Sequence, residues 1–307
     1  MIYSTIIQPY DGAQLSPYSL DAILRMSEAR SEATQDDARS GFDNLSQSGD
    51  AHTDTYGDKK INGRGGSDTI TTGAGDDVVY GGSGADVIST RGGRDTIFGG
   101  SGSDTILAGL EDDTAHGGSG IDEIQGEDGH DTLNGGSGDD YLEGGAGNDK
   151  LNGGLDNDTL IGDSLSSSAV GSDILNGSFG EDALIGGFGA DTLTGGDDAD
   201  VFSYGTGNAQ SNDSMLTARD SITDFSRAAG DKIDFSLMDW SSAAGNQDFE
   251  FETAASSRAG TMWVEGSGAD RVVMVNFNGG GADMAINVHL LDAGGTLSAS
   301  DFLGVFL

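Results

Sequence analysis

One acidic residue keeps a strict beat through the middle of this 307-residue chain. Asp68, Asp77, Asp86, Asp95, Asp104, Asp113, Asp122, Asp131, Asp140, Asp149 and Asp158 stand nine apart. After a six-residue interruption at 162–167 the beat resumes at Asp173, Asp182, Asp191 and Asp200. Acids fill 52 of 307 positions, so fifteen in phase is a repeat and not a composition effect. Carboxylates at fixed spacing, each preceded by glycines, are suited to holding a hard cation. Ca²⁺ takes about six to eight oxygens and mixes side-chain carboxylates with backbone carbonyls. Glycine tolerates positive φ, which lets a short loop curl its carbonyls toward one point. The cleanest loops place Gly81, Gly82 and Gly84 before Asp86, Gly99, Gly100 and Gly102 before Asp104, and Gly117, Gly118 and Gly120 before Asp122. Gly135, Gly136 and Gly138 precede Asp140 in the same way, and Gly144, Gly145 and Gly147 precede Asp149.

Elements that could position these loops follow from the rest of each nonapeptide. Cut from Gly63 to Ser203, every block carries Asp at its sixth position and an apolar residue at its eighth, from Ile70 and Val79 to Leu193 and Phe202, with Ala115 the one small member. A single apolar residue flanked by short, often β-branched neighbours, as in Thr69-Ile70-Thr71, predicts a three-residue strand with the eighth residue inward and its neighbours outward. A disordered Gly/Asp linker would explain the glycines but not the apolar beat.

The pattern GGxGxDxUx, with U a large apolar residue, resembles the RTX (repeats-in-toxin) calcium-binding nonapeptide. The resemblance implies an all-β, right-handed parallel β-roll in which two nonapeptides make one turn and loops 18 residues apart stack and share an ion. It assigns the fifteen aspartates and the loop glycines above to Ca²⁺ binding. One edge would carry Asp68, Asp86, Asp104, Asp122, Asp140 and Asp158, and the other Asp77, Asp95, Asp113, Asp131 and Asp149. Beyond the interruption Asp173 would face Asp191 and Asp182 would face Asp200, giving at most about eleven shared sites. The first edge reads GGSG in four of its six loops, whereas Arg91, Glu111 and Glu127 occupy family glycine positions on the second. Tighter, more uniform binding is therefore expected on the first edge, weak or missing sites around Asp95 and Asp113, and the least well packed turn at Ala115.

The flanks divide the chain into 1–60, an N-terminal helix with a polar tail or cap; 61–203, the roll; and 204–307, a β-rich C-terminal cap. Ser16-Pro17-Tyr18 predicts a helix start, with Leu20, Ile23, Leu24 and Ser27 forming one short stripe. Residues 31–60 are polar and are expected to be loop or tail. Arg219 to Phe225 and Gly230 to Ser236 resemble the segment that follows the roll in serralysin-type proteases and alginate-epimerase R-modules. Met262 to Leu291 alternates in strand fashion, and Asn276 to Asp283 resembles a calcium turn with Asn or Gly at positions where Asp is commoner. The ending Ser298-Ala299-Ser300-Asp301-Phe302-Leu303-Gly304-Val305-Phe306-Leu307 resembles the uncleaved signal read by type I ABC exporters; it can also form a final core strand, because such a signal is read before folding.

Composition narrows function further. The formal net charge is -38, and with 14 Lys and Arg in all, nucleic acid is excluded as a partner. Cysteine is absent, which excludes disulfides, thiolate metal sites and Cys nucleophiles. No run approaches the roughly 18 apolar residues of a membrane span, and Met1 to Ala13 has no signal-peptide pattern. His52, His116, His130 and His289 include no HExxH, no G-x-S-x-G elbow occurs, and the Gly-Ser-Gly triplets belong to the repeat. The expectation is a secreted, extracellular, non-enzymatic calcium-binding protein that meets an ABC exporter during secretion and folds on Ca²⁺ outside the cell. A membrane-active effector, a polysaccharide-binding accessory module and a fragment of an RTX protease or epimerase are the alternatives.

Overall fold

A computed structural model describes residues 41–163, 171–205, 218–236, 238, 249–252, 254–277, 282–292, 295–303 and 305–306. The helix expected near Ser16 to Ser27 lies outside these residues. Among them the fold is all-β, a parallel β-solenoid of about eight turns, with one 3₁₀ turn at Ala299–Asp301.

Two facing sheets form because successive nonapeptides alternate between them. One sheet stacks Val79, Ile97, Ala115, Leu133, Leu151, Leu175, Leu193 and Ile222 in register. The other stacks Ile70, Ile88, Ile106, Ile124, Leu142, Leu160, Leu184, Phe202 and Ile233. Every one of these side chains is at most 2% exposed, so the core is a double column of eighth-position residues. At roughly 1.5–3 kcal/mol for each fully buried aliphatic side chain, this column is the main apolar support of the roll.

Strands are longer than the sequence suggests. Thr96–Ser101, Thr105–Leu110 and Thr132–Ser137 are representative, each running through the first three positions of the next block. Gly82, Gly100, Gly118, Gly136 and Gly154 pair in parallel register, so the glycines extend the ladder as well as turning the loop.

The solenoid also exceeds its expected limits. Asp43–Asn44 and Ala51–Thr53, inside the segment expected to be loop or tail, and Lys60–Asn62, at its boundary with the expected roll, are strands paired in register with the roll. Beyond Ser203, Ser221–Phe225 and Lys232–Asp234 add one more strand to each sheet. The interruption does not break the stack: Leu151 pairs with Leu175 and Leu160 with Leu184, so the extra residues leave the ladder intact.

At the C-terminal end the architecture changes. Thr261–Ser267, Asp270–Asn276 and Met284–Leu290 form an antiparallel meander joined to Ser221–Phe225. Phe302–Leu303 pairs with Lys232–Asp234, and Phe302 is 5% exposed, which places this part of the chain ending in a core strand. Phe235 is the hub of an aromatic cluster, with ring centroids of Tyr204 at 5.7 Å and of Phe249 and Phe302 at 6.1 Å.

Candidate metal sites along the loop edges

All fifteen sixth-position aspartates are at most 2% exposed. Their local geometry repeats. The Oδ1 of Asp86 accepts the backbone N–H of Asp68 at 2.7 Å, and Asp86 in turn donates its N–H to Asp104 Oδ1 at 2.8 Å. The ladder continues through Asp122, Asp140 and Asp158 at 2.8 Å per step. The second edge does the same from Asp77 through Asp95, Asp113, Asp131 and Asp149. Both ladders cross the interruption, from Asp149 to Asp173 and from Asp158 to Asp182, each at 2.8 Å. These are two stacked pairs beyond the expected arrangement. At the far ends Asp191 and Asp200 donate to Asp220 and Asp231, and at the near end Asp50 donates to Asp68, which extends the aspartate stack past the fifteen.

A second ladder runs the other way from the fifth positions. Asp112 Oδ1 accepts the N–H of His130 at 3.0 Å, His130 Nδ1 accepts that of Asn148 at 2.8 Å, and Asn148 Oδ1 accepts that of Ser172 at 2.7 Å. Adjacent amides thus tie each loop to both neighbours. The sequence places His130 on the roll surface; the structure agrees, with its Nδ1 in this ladder. His116 stacks on Phe98 with ring centroids 5.0 Å apart, in a row with Tyr80.

The other carboxylate oxygen has no such partner. Oδ2 of Asp68, Asp77, Asp86, Asp95, Asp104, Asp113, Asp122, Asp131, Asp140, Asp149, Asp158, Asp173, Asp182 and Asp200 is buried without a hydrogen bond. It lies inside its own loop. A Cβ on Gly117 would stand 2.4 Å from Asp122 Oδ2, so glycine leaves room there, whereas Thr72, Thr90 and Ala108 hold the same position on the second edge. A Cβ on Gly120, at φ 130°, would stand 2.0 Å from Gly102 O of the preceding turn. Where the repeat departs from glycine the backbone still adopts the left-handed region, at Arg64, Arg91, Glu111, Glu127, Asp156, Ser178 and Asp198. Such residues cost roughly 1–2 kcal/mol each against glycine.

Burial dominates the acidity of these groups. It raises Asp86, Asp104 and Asp149 to about 6, Asp95, Asp131, Asp140 and Asp158 to about 7, and Asp113, Asp173 and Asp200 to about 8. The same cause raises Asp68, Asp77, Asp122 and Asp182. Ion pairs among the described residues of the roll include Lys59–Asp54 (3.0 Å) and Arg94–Asp76 (3.7 Å). A buried carboxylate without a cation is costly, and here it recurs turn after turn.

An all-oxygen donor set of buried carboxylates, aligned in two columns, fits Ca²⁺ and offers nothing to a thiophilic metal. Through Asp95 and Asp113 the aspartate ladder of the second edge keeps a spacing of 2.7–2.8 Å. The edge differs at the first position, where Thr90 donates its hydroxyl to Ala108 O at 2.6 Å. Ala115 is fully buried between Ile97 and Leu133. Of the expected turn at Asn276 to Asp283, residues 278–281 lie outside the described set, while Phe277 donates its N–H to Asp283 Oδ2 at 2.7 Å. Sequence reasoning missed Asp50, Asp220 and Asp231, although each precedes an apolar or histidine residue by two positions as the repeat does. It also missed the start of the roll, where Asp43, His52 and Asp54 bring ligand atoms within 4.8 Å of one another.

A family model described as the RTX calcium-binding nonapeptide repeat (4 copies) matches residues 55–88, 80–115, 89–124, 107–142, 135–164 and 176–209. The solution structure of the AlgE6R3 subunit from the Azotobacter vinelandii mannuronan C5-epimerase is similar at 24% identity, with a TM-score of 0.37, over 52% of this chain and 80% of that one. No curated protein matches the chain.

Proposed function

We propose, from the match of residues 55–164 and 176–209 to the RTX calcium-binding nonapeptide repeat, that the protein is a secreted, non-enzymatic calcium-binding protein whose roll closes only when Ca²⁺ is available. The observation that carries this reading is the double column of buried carboxylate oxygens without hydrogen-bond partners. Ca²⁺, when bound, supplies the positive charge that these columns lack. The position-six aspartates would hold it through the carboxylate oxygen that has no hydrogen bond, while their Oδ1 atoms keep successive turns in register. The loop glycines leave room for that oxygen.

Inside a cell, where calcium is scarce, the carboxylates repel and the chain stays open enough to pass through a type I ABC exporter. Outside, calcium at or above roughly 10⁻⁴–10⁻³ M, the range of extracellular modules, permits closure. Because each ion ties neighbouring turns, closure spreads along the stack as in other nearest-neighbour solenoids. The role outside the cell is interaction at a surface and not catalysis: the buried acids are committed to loop closure.

Far-ultraviolet circular dichroism with and without EDTA tests the folding claim, with loss of the β signal on chelation expected. A β signal that survives full chelation defeats it. Export tests the other half: co-expression with a type I exporter should move the intact chain into the medium, and a chain retained in the cytoplasm would refute secretion by that route.

A further inference from the structure

We propose that Asp43, His52 and Asp54 hold a divalent transition-metal ion of the zinc class, which clips the two sheets together at the first described turn of the roll. The site uses none of the sixth-position aspartates, so it stands apart from the loop columns. It begins where the apolar core runs out. Eighth-position side chains are apolar in every block from Ile61 to Phe202. One turn earlier both columns change chemistry. Asp43 pairs in register with Ile61 on one sheet, and His52 pairs with Ile70 on the other. Each therefore holds the eighth position of its own block. A polar residue on the last rung is expected, because an aliphatic side chain there would be half wet. That argument does not explain why a carboxylate and an imidazole meet from opposite sheets, with a third donor beside them.

The third donor is Asp54, which directly follows the strand Ala51–Thr53. Each of the three side chains places a ligand atom within 4.8 Å of the other two, and among the described residues no other such group of His, Asp and Glu does so. His52 Nε2 is buried and has no hydrogen bond. Asp54 is anchored, with Oδ1 accepting the Thr55 N–H at 3.1 Å and Oδ2 lying 3.0 Å from Lys59 Nζ. A carboxylate has about four lone-pair sites, so both oxygens keep capacity for an ion. Asp43 is exposed and His52 and Asp54 are half-buried, which leaves an ion a way in. One imidazole nitrogen with two carboxylates suits zinc, copper or nickel, whereas calcium seeks about six to eight oxygens. Bonds of about 2.0–2.1 Å to zinc set tetrahedral ligand atoms roughly 3.3 Å apart. Rotation of the exposed Asp43 side chain closes the cluster to that span and leaves the fourth position to water. The clip matters because Asp43–Asn44 is only two residues long, and the end rungs of a solenoid are its least supported.

The test is a zinc titration by calorimetry of the full chain in millimolar calcium, so that calcium already occupies the loops. The parent is compared with Asp43→Asn, His52→Gln and His289→Gln. His289 and Asp270 form an exposed histidine–carboxylate pair at 2.8 Å and are the natural rival site. Circular dichroism in calcium reports whether each variant keeps its β signal, and Asp43→Asn, at an exposed position, preserves shape. One zinc per chain is expected in the parent. Its affinity should fall by at least about tenfold in Asp43→Asn, fall further in His52→Gln and stay unchanged in His289→Gln. Zinc should also raise the melting temperature of the parent in calcium and leave that of His52→Gln where it was. A calcium-loaded parent that takes up no zinc overturns the proposal. So does a binding step that survives in both Asp43→Asn and His52→Gln, or one that is lost in His289→Gln.

Discussion

The repeat turns and the C-terminal meander continue the same sheet but are held together differently. In the turns each strand contributes one large apolar side chain to the core, and each loop buries a carboxylate beside it. In the meander, Met262, Val273, Val275, Met284, Ile286 and Val288 supply several buried side chains per strand, backed by Phe249, Phe277 and Phe302. Its charged groups sit mostly at the rim, as in the exposed His289–Asp270 pair at 2.8 Å. A parallel solenoid with so thin a core depends on something besides apolar burial, whereas the meander, with several buried side chains per strand, is expected to keep part of its order without metal.

Metal removal should split the two regions, and this is the largest effect expected. In EDTA the amides of Ile106, Leu133 and Leu175 should lose hydrogen-exchange protection almost completely, while those of Val273, Val275 and Ile286 retain part of theirs. Simultaneous loss in both regions would show that the meander has no stability of its own. Next in size is a backbone clash. Gly120→Ala puts a Cβ into Gly102 O at a φ of 130°, and a calcium-saturated unfolding midpoint lowered by about 3 kcal/mol or more is expected. Leu133→Ala, which hollows the column without touching a loop, should cost roughly 2–5 kcal/mol. In the meander Ile286→Ala should cost a similar amount, with no change in calcium response. Matching losses of calcium affinity in both alanine variants would erase the distinction between the regions.

Charge sharpens the comparison more gently. Asp122→Asn keeps Oδ1 as the acceptor for the Asp104 N–H but removes the buried charge. The metal-free chain should become more compact and the calcium response weaker, readable by circular dichroism across a calcium series. Acidity should act in the same sense. An unfolded aspartate titrates near about 3.9, whereas burial raises Asp113, Asp173 and Asp200 to about 8 and several others to about 6 or 7. The folded roll then binds more protons than the unfolded chain between those values, so stability falls as pH rises. In EDTA the roll should be best ordered near pH 4 and lose that order progressively up to about pH 8. Calcium affinity should rise over the same window, because the ion displaces those protons. Thermal melts in EDTA at both ends of the range decide the sign, and a metal-free roll that gains stability toward pH 8 contradicts it.

Much of this was legible in the sequence, because the roll is built from a period of nine with one aspartate and one apolar residue at fixed places. What the period could not show was where it stops being visible. Lys59 stands at a sixth position and His52 at an eighth, so the first turns read as a polar tail although their strands pair in register. Asp220 and Asp231 keep the sixth position, but the chain around them departs from the glycine pattern, which hid two further strands. The interruption read as a break because sequence spacing changes there, whereas the ladder depends on which amide meets which carboxylate, and Asp149 still meets Asp173.

The smallest expected effect concerns the irregular loops of the second edge. Arg91 at φ 70° and Glu111 at φ 78° hold the left-handed conformation that glycine adopts without strain. Their side chains are exposed, so replacing them should remove strain without opening a cavity. Glycine also widens the unfolded ensemble, which offsets part of the gain. Arg91→Gly and Glu111→Gly should therefore each stabilise the calcium-loaded roll by about 1 kcal/mol or less. They should also narrow any difference in calcium affinity between the two edges, since glycine would then stand at the second position of one loop and the fourth of the other, as in Gly99 to Asp104. If instead the double variant is destabilised, the two residues are holding their loops through contacts that the glycines would lack, and the irregularity of this edge is a support and not a defect.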